Sequence, residues 1–128
     1  VFLYMQDNFK KPNPFSHDIV IGIDEALDQK VDGLNEHTSQ MYEWLPWIGN
    51  GGEIDPKVPK DPAERKAWLK SRWMGRNMSP AQRAGLSKWY SAEKAASFKY
   101  AESFEITEYG AQPTEADIRR LFPMLNNK

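Results

Sequence analysis

Two short, continuous apolar runs near the start of the chain constrain its fold most. Residues 1–6 and 18–23 are rich in β-branched and aromatic side chains, and prolines lie between them. Such runs are typical of strands buried on both faces. Two strands cannot cover both faces alone, so they predict a place at the edge of a larger sheet. Because the first run opens at Val1 without a cap or an initiator methionine, we expect the chain to be a piece of a longer protein.

A helical pattern follows the second run. Asp24 is placed to cap a helix over residues 24–44, and Pro46 is expected to end it. The apolar residues of this segment form one stripe, which comprises Leu27, Val31, Leu34 and Met41. Glycine and proline dominate residues 45–60. This composition predicts a long surface loop, of the length that often serves function.

Three further helices begin with capping signals. Asp61-Pro62-Ala63-Glu64 and Ser79-Pro80-Ala81-Gln82 each place a capping side chain, then a proline, then an acid or amide that can reach back. Thr114 and Asp117 predict a short last helix in the same way. The core-facing residues should be Trp68, Leu69 and Trp73 in the first helix and Leu86, Trp89 and Tyr90 in the second.

The order of these elements predicts the α/β class. Phe98, Tyr100, Phe104 and Ile106 are evenly spaced and predict a strand or extended segment before the last helix. Together the patterns predict two strands plus about four helices, with one extended segment. We divide the chain into residues 1–48 with the strands and first helix, a surface loop over 49–60, and a helical extension over 61–128.

Composition limits the classes of partner. The chain has 17 basic and 18 acidic residues, so it offers no basic field for nucleic acid or for an anionic membrane surface. It has no cysteine, which excludes disulfides, thiolate metal sites and cysteine nucleophiles. No apolar run approaches the roughly 20 residues of a membrane helix, and no signal segment is present. A cytoplasmic location is the default expectation.

Residues that could carry chemistry are few. The two histidines, His17 and His37, lie twenty positions apart, whereas a zinc site needs three or four ligands with a close pair among them. The chain also lacks the Gly-x-Ser-x-Gly turn of serine hydrolases and a glycine-rich phosphate loop. We therefore predict neither a metal ligand nor a catalytic residue in this chain.

Three glutamates recur at every third position, at Glu102, Glu105 and Glu108, and aromatic residues surround them. Solvated surface charge is the usual explanation for such a series. The functional alternative is that one of them is half-buried and fixes a loop or a neighbouring basic side chain.

A set of aromatic residues has the chemistry to stack on sugar rings. It comprises Tyr42, Trp44 and Trp47, with Tyr100 and Tyr109 further along. Core packing explains most tryptophans. Trp44 and Trp47, however, lie at a helix end that leads into a glycine-rich loop, where part of the pair should be exposed. Tyr42, Trp44 and Trp47 are thus the candidate substrate-binding residues.

Several motifs in order resemble the C-terminal half of PIG-L/LmbE-type N-acetylglucosaminyl deacetylases. They are Lys11-Pro12-Asn13-Pro14-Phe15, then the run from Asp18 to Asp24, Lys30 and Leu34, and His37-Thr38-Ser39-Gln40. The stretch from Met41 to Trp47 extends the resemblance to a bacterial subgroup. Tyr100-Ala101-Glu102-Ser103-Phe104-Glu105, Glu108-Tyr109-Gly110 and Leu121-Phe122-Pro123 resemble the tail of that subgroup.

The resemblance implies a Rossmann-like fold and a zinc-dependent hydrolysis of an acetamide. In that family a His-Pro-Asp-Asp segment and a later histidine bind the metal, which polarises the carbonyl and activates a water. Neither element is present in this sequence. The resemblance therefore places zinc in the parent enzyme and none in this chain. His37 and Gln40 correspond to the helix signature, and we expect them to fix the helix end against the preceding strands.

Two functions are compatible with these observations. In the first, the chain is the C-terminal segment of such a deacetylase, inactive alone, with an amino sugar as the parent's substrate. It would supply scaffold and part of the wall of the substrate site. In the second, it is a non-catalytic module that binds a carbohydrate or a protein. Either way, exposed apolar strand edges should pair with the missing N-terminal half or with a second copy.

Overall fold

A computed structural model describes residues 1–7, 10–74 and 76–126, without the side chains of Trp73 and Met74. Over these residues the chain forms three strands and six α-helices. The strands are β1 (Leu3–Met5), β2 (Ile19–Gly22) and β3 (Ala101–Ile106). The helices are α1 (Leu27–Glu36), α2 (Leu45–Gly49), α3 (Pro62–Met74), α4 (Pro80–Trp89), α5 (Ala92–Ser97) and α6 (Glu115–Leu121). The α/β class is confirmed. The expected count of two strands and about four helices is wrong. The predicted extended segment is a strand, and the short helices α2 and α5 were not predicted from the sequence pattern.

The chain divides into two compact units. Residues 1–24 and 78–128 form the first unit, and residues 25–77 form the second. Each unit has its own buried apolar cluster. The boundaries predicted near residues 48 and 60 fall inside the second unit and stay predictions.

The sheet lies in the first unit, and β3 is its central strand. The order is β1-β3-β2, and both pairings are antiparallel. Tyr4 is opposite Glu105, and Val20 is opposite Ser103. β3, which comes late in the sequence, therefore pairs with both strands from the beginning of the sequence.

The two N-terminal strands differ in burial. Ile19 and Val20 in β2 are fully buried, as predicted. In β1 the prediction of a buried strand is wrong, because Phe2 is 64% exposed and Met5 is 65% exposed. Both β1 and β2 are edge strands of this sheet, but α4 covers β2, where Gly85 lies against Val20.

Helical segments cover the buried strands. The side chains of successive strand residues point to opposite faces, so Val20 and Phe104 belong to different faces of the sheet. Val20 packs closely against Gly85 in α4. Phe104 packs on Phe122, with 5.7 Å between the ring centroids. The first core is closed by buried residues from α4 to the C-terminal turn, namely Leu86, Trp89, Tyr90, Ala95, Ile118 and Leu125.

Two aspartates at the ends of β2 bind the backbone at the ends of β3. Oδ2 of Asp18 accepts a hydrogen bond from the Ile106 N–H at 2.9 Å. The Asp24 carboxylate accepts from the N–H groups of Lys99 at 3.0 Å and Tyr100 at 3.1 Å. The predicted role of Asp24 as a helix cap is therefore wrong, and α1 has no side-chain cap hydrogen bond.

The predicted helix over residues 24–44 is two helical segments. A 3-10 turn (Asp24–Ala26) leads into α1, which ends at Glu36, and His37 is its C-cap. Helical backbone resumes at residue 38, passes through a π-helix (Gln40–Trp44) and continues as α2 to Gly49. Pro46 does not end the helix as predicted, and it lies where the π-helix passes into α2.

The predicted capping side chains of Asp61, Ser79 and Thr114 are confirmed. Asp61 Oδ1 accepts from the Ala63 N–H at 2.9 Å at the start of α3. Ser79 with Gln82, and Thr114 with Asp117, form complete capping boxes at α4 and α6. These signals are local in sequence, so the sequence alone predicts them well.

The second unit is built on α1, the helical segment over residues 38–49, and α3. Its core contains Met41, Tyr42 and Leu69, with Leu34, Val58 and Trp68 packed against them. Ion pairs between Lys66 and Asp32, and between Lys70 and Asp28, join α3 to α1. Both pairs are solvent-exposed and add little to stability.

Gly85 and Gly33 offer a direct test of the packing of α4 on the sheet. A Cβ atom on Gly85 would lie within 2.9 Å of the Val20 Cβ, whereas a Cβ on Gly33 in α1 meets nothing within 4 Å. We expect Gly85→Ala to lower the free energy of unfolding by about 1–3 kcal/mol through overpacking. The matched control, Gly33→Ala, should raise it by up to ~1 kcal/mol because alanine favours the helix. Urea unfolding followed by circular dichroism measures both, and an unchanged stability of Gly85→Ala would contradict the packing.

Candidate functional site

The second unit contains an open groove with a volume of about 1190 Å³. We call it the aromatic groove. Its lining residues come from the helical segment over 38–49, from the segment over 53–60 and from the start of α3. They are Ser39, Gln40, Tyr42, Glu43, Trp44, Trp47, Ile54, Asp55, Pro56, Lys57, Val58, Pro59, Lys60, Glu64 and Arg65.

Trp44 and Trp47 form the exposed aromatic surface of the groove. Trp44 is 53% exposed and Trp47 is 47% exposed. Residues three apart on a helix lie on the same face, and the backbone is helical from the π-turn at Gln40–Trp44 through α2. Single π-turns inside helices occur frequently at functional sites. The two indoles therefore offer flat apolar surface on the same side of the groove.

Tyr42 also lines the groove but is largely buried. Its hydroxyl donates to Oδ1 of Asn35 at 2.7 Å, and its ring lies 5.9 Å from the Trp68 ring. The Arg65 guanidinium lies 5.3 Å from the centre of the Tyr42 ring. Burial raises the pKa of Tyr42 above its ordinary value, although the Arg65 charge opposes that shift. Tyr42 thus acts as an anchored part of the wall and offers little free surface for stacking.

The opposite wall is the segment over residues 53–60, which was predicted to be part of a long surface loop. It follows Gly51 and Gly52, whose φ angles of 70° and 89° favour glycine. The Asn50 side chain donates to the carbonyls of Glu53 and Ile54 at 3.4 and 3.3 Å. The prediction of a loop from residue 45 is corrected at its first five positions, which form α2.

The groove combines apolar surface with charges of both signs at its rim. Glu43 and Glu64 provide carboxylates, and Lys57 and Lys60 provide ammonium groups. Side chains of this kind bind a ring compound by stacking and by hydrogen bonds to its polar substituents.

The structure places the predicted helix signature beside this groove. Gln40 begins the π-turn and lines the groove. His37 is exposed at the C-cap of α1, where its N–H donates to the Leu34 carbonyl at 3.1 Å and its own carbonyl accepts from Met41 at 2.9 Å. The predicted role of these side chains in fixing the helix end against the strands stays a prediction.

The three glutamates lie in the first unit, on β3 and just beyond it. Glu102 is opposite Ile21 in β2 and Glu105 is opposite Tyr4 in β1. Both are half-buried, whereas Glu108 is exposed. Loss of solvation raises the pKa of Tyr4 above its ordinary value, and the carboxylates of Glu108 and Glu105 add to that rise. Glu105 and Glu108 thus act on Tyr4 in β1, and all three glutamates lie in a different unit from the aromatic groove.

The two histidines have separate surroundings. Nδ1 of His17 lies 2.9 Å from Oγ of the buried Ser103, and the His17 ring packs edge-on to Phe15. His37 belongs to the other unit. Within residues 1–7, 10–74 and 76–126, no three His, Asp or Glu side chains are grouped to hold a metal ion.

The sequence analysis missed several lining residues of the groove. Ile54 is 89% exposed, and Arg65 bridges two walls. Ile54 could have been found, because an isoleucine within a glycine- and proline-rich segment is expected to be exposed. No signal in the sequence indicated Arg65, because its contacts to the Pro59 carbonyl and the Tyr42 ring depend on how the loop folds back.

Comparison of the chain with protein families, with curated proteins and with solved structures finds no significant match. In the described part of the chain, no helix has the length and apolar character to cross a membrane. The function must therefore be argued from the motifs and the groove themselves.

The carboxylates around Tyr4 make a prediction about its ionisation. Glu108→Gln removes a negative charge near the phenol, so the Tyr4 pKa should fall toward the ordinary tyrosine value of about 10. Titration by NMR of chains labelled at the tyrosine ring carbons measures this shift. Glu93→Gln, on α5, serves as the matched control and should leave the Tyr4 pKa unchanged. A Tyr4 titration that is the same in wild type and Glu108→Gln would contradict the electrostatic assignment.

Proposed function

We propose that this chain is the C-terminal portion of a PIG-L/LmbE-type N-acetylglucosaminyl deacetylase with a Rossmann-like fold. The ordered motifs support the assignment, above all Asp18 to Asp24 and His37-Thr38-Ser39-Gln40. In the parent enzyme the zinc ligands come from segments other than this chain. The role of this chain is to complete the scaffold and to form a wall of the amino-sugar site.

The aromatic groove is the observation that carries the proposal. Tyr42, Trp44 and Trp47 were chosen from the sequence as sugar-binding candidates, and all three line the same groove. The apolar face of a pyranose ring fits an indole, and the surrounding hydroxyl and acetamide groups suit the charged and amide side chains at the rim. Trp44 and Trp47 would stack on the ring, Gln40 and Glu43 would hydrogen-bond to its substituents, and Tyr42 would hold the wall in place.

The exposed edge of β1 supports a further part of the proposal. A strand edge with exposed Phe2 and Met5 is suited to pairing with another strand. We propose that its partner is a strand of the remaining part of the parent, and that a chain without that part associates with itself.

A second function is a non-catalytic module that binds a carbohydrate or a protein. The groove supports it because every lining residue belongs to the second unit of this chain. The two functions differ in what happens to the ligand: the first leads to acetate release in the parent enzyme, and the second ends at binding.

Ligand binding by the two exposed tryptophans is the first test. Trp44→Ala and Trp47→Ala should each weaken the binding of an N-acetylglucosamine oligosaccharide by roughly 3- to 10-fold, because each removes a stacking surface. Calorimetric titration measures the dissociation constants. Tyr109→Ala, which removes an exposed aromatic residue of the other unit, is the control and should bind as wild type does. Equal affinity in all four proteins would contradict sugar binding in the groove.

Catalysis by the isolated chain is the second test. We expect no acetate release from an N-acetylglucosaminyl substrate, with or without added zinc, because the sequence contains no His-Pro-Asp-Asp segment. An enzymatic acetate assay measures this, with a mock purification from cells that lack the chain as the control for contaminating enzyme. Zinc-dependent release that co-purifies with the chain would overturn the assignment of the metal ligands to other segments.

A further inference from the structure

Two arginines on α3 lie on either side of the apolar residues that face the second core. Arg65, Trp68, Leu69 and Arg72 are spaced by three, four and seven positions, so they share one face of the helix. Leu69 is buried and Trp68 is half-buried in that core. Arg65 and Arg72 therefore flank the core contact, one turn before it and one turn after it.

Arg65 joins the two walls of the aromatic groove. Its Nε donates to the carbonyl of Pro59 at 3.0 Å, and its guanidinium lies over the ring of Tyr42. The first contact holds the segment over 53–60, and the second holds the helical wall. A half-buried guanidinium that makes both contacts fixes the distance between the walls.

Arg72 makes the same kind of double contact further along the helix. Its guanidinium lies 4.8 Å from the centre of the Trp68 ring, and its Nη1 lies 3.9 Å from Oδ2 of Asp55. The Asp55 side chain is only 13% exposed, and its Oδ1 accepts from the Lys57 N–H at 2.9 Å. Through its ion pair with Asp55, Arg72 thus restrains the first residue of the turn over residues 55–58.

Apolar burial contributes little to the position of the 53–60 segment. Val58 packs against the second core, but Ile54 is almost fully exposed. Ordering each residue of such a segment costs about 1–2 kcal/mol of backbone entropy. Because the flanking Gly51 and Gly52 do not restrict the chain, polar contacts supply part of the restraint. The Asn50 amide binds the carbonyls of Glu53 and Ile54, and α3 contacts Asp55 and Pro59.

We propose that Arg65 and Arg72 are paired positioning residues that hold the 53–60 segment in place as one wall of the aromatic groove. This inference rests on the proposed function only where it concerns ligand affinity. Arg72 is absent from the lining of the groove, so it acts on a ligand through Asp55 and the segment. The Asp55–Arg72 ion pair weakens with salt, whereas the Arg65–Pro59 contact, which is a hydrogen bond to a carbonyl, is less sensitive.

Tryptic cleavage after Lys57 and Lys60 reports release of the segment without any ligand. In Arg65→Met, cleavage at these two lysines should be on the order of tenfold faster than in wild type, because a hydrogen bond from a charged donor is lost. In Arg72→Met the increase should be roughly two- to fivefold, because the ion pair with Asp55 is long and Arg72 is half-exposed. Asp55→Asn keeps the side-chain oxygen that accepts from the Lys57 N–H and removes only the ion pair. Its cleavage rate should therefore equal that of Arg72→Met, provided that both variants fold. Arg72→Lys keeps the charge and should restore part of the protection.

Lys66→Met is the matched control. It removes a positive charge from α3 that pairs with Asp32 on α1, and it should leave cleavage at Lys57 and Lys60 as in wild type. In 0.5 M NaCl, wild type should approach the cleavage rate of Asp55→Asn. If Arg65→Met, Arg72→Met and Asp55→Asn, each folded by circular dichroism, all keep the wild-type rate, the inference is wrong.

Affinity separates this inference from the proposed function. With an N-acetylglucosamine oligosaccharide as probe, Arg72→Met should raise the dissociation constant several-fold, and Lys66→Met should not. If wild type does not bind the probe, the proposed function fails while the cleavage results still decide the role of the arginines. If wild type binds and the cleavage rates change but affinity does not, the segment is held by the arginines without shaping the ligand site, and the affinity part of the inference is overturned.

Discussion

The central position of β3 is the constraint on which the first unit depends. β3 pairs with β1 and with β2, so one late strand gives backbone partners to two early ones. Buried backbone N–H and C=O groups require such partners, and the full burial of Ile19 and Val20 is possible only in a sheet that has them. The carboxylates of Asp18 and Asp24 then bind N–H groups at opposite ends of β3, which fixes its register with β2. The helices of the first core pack on a surface that exists only after this pairing.

The second unit depends in a similar way on one face of α3. Trp68 and Leu69 on that face close the core with Met41 and Tyr42, and arginines on either side reach the outer segment. The helical wall, with its π-turn and exposed tryptophans, is thereby set opposite a wall made of loop. The helical wall is a rigid stacking surface. The position of the other wall, the segment over residues 53–60, depends on a few polar contacts. This division suits a site that must recognise a ring and its substituents.

The proposed deacetylase assignment and the alternative of a binding module share the same groove. They differ only in whether metal chemistry from another part of a parent protein acts on the bound ligand. His17 contacts Ser103 in the first unit, and His37 is the C-cap of α1 in the second. In both proposals the groove is the recognition surface, and in the first the β1 edge is where we propose that a larger sheet continues.

The sequence alone determined the features that depend on neighbours within about four positions. It predicted the caps at Asp61, Ser79 and Thr114, the strands, and the tryptophan pair, because capping boxes and helical spacing are local relations. Only the tertiary structure decided that β3 is central, that Asp24 binds the backbone of Lys99 and Tyr100, and that Arg65 and Arg72 reach Pro59 and Asp55. The partners of β3 and Asp24 lie more than seventy positions away, and the contacts of the arginines depend on where the loop folds back. No local pattern encodes such pairings, because they follow from the burial of apolar faces that meet only when the chain has folded.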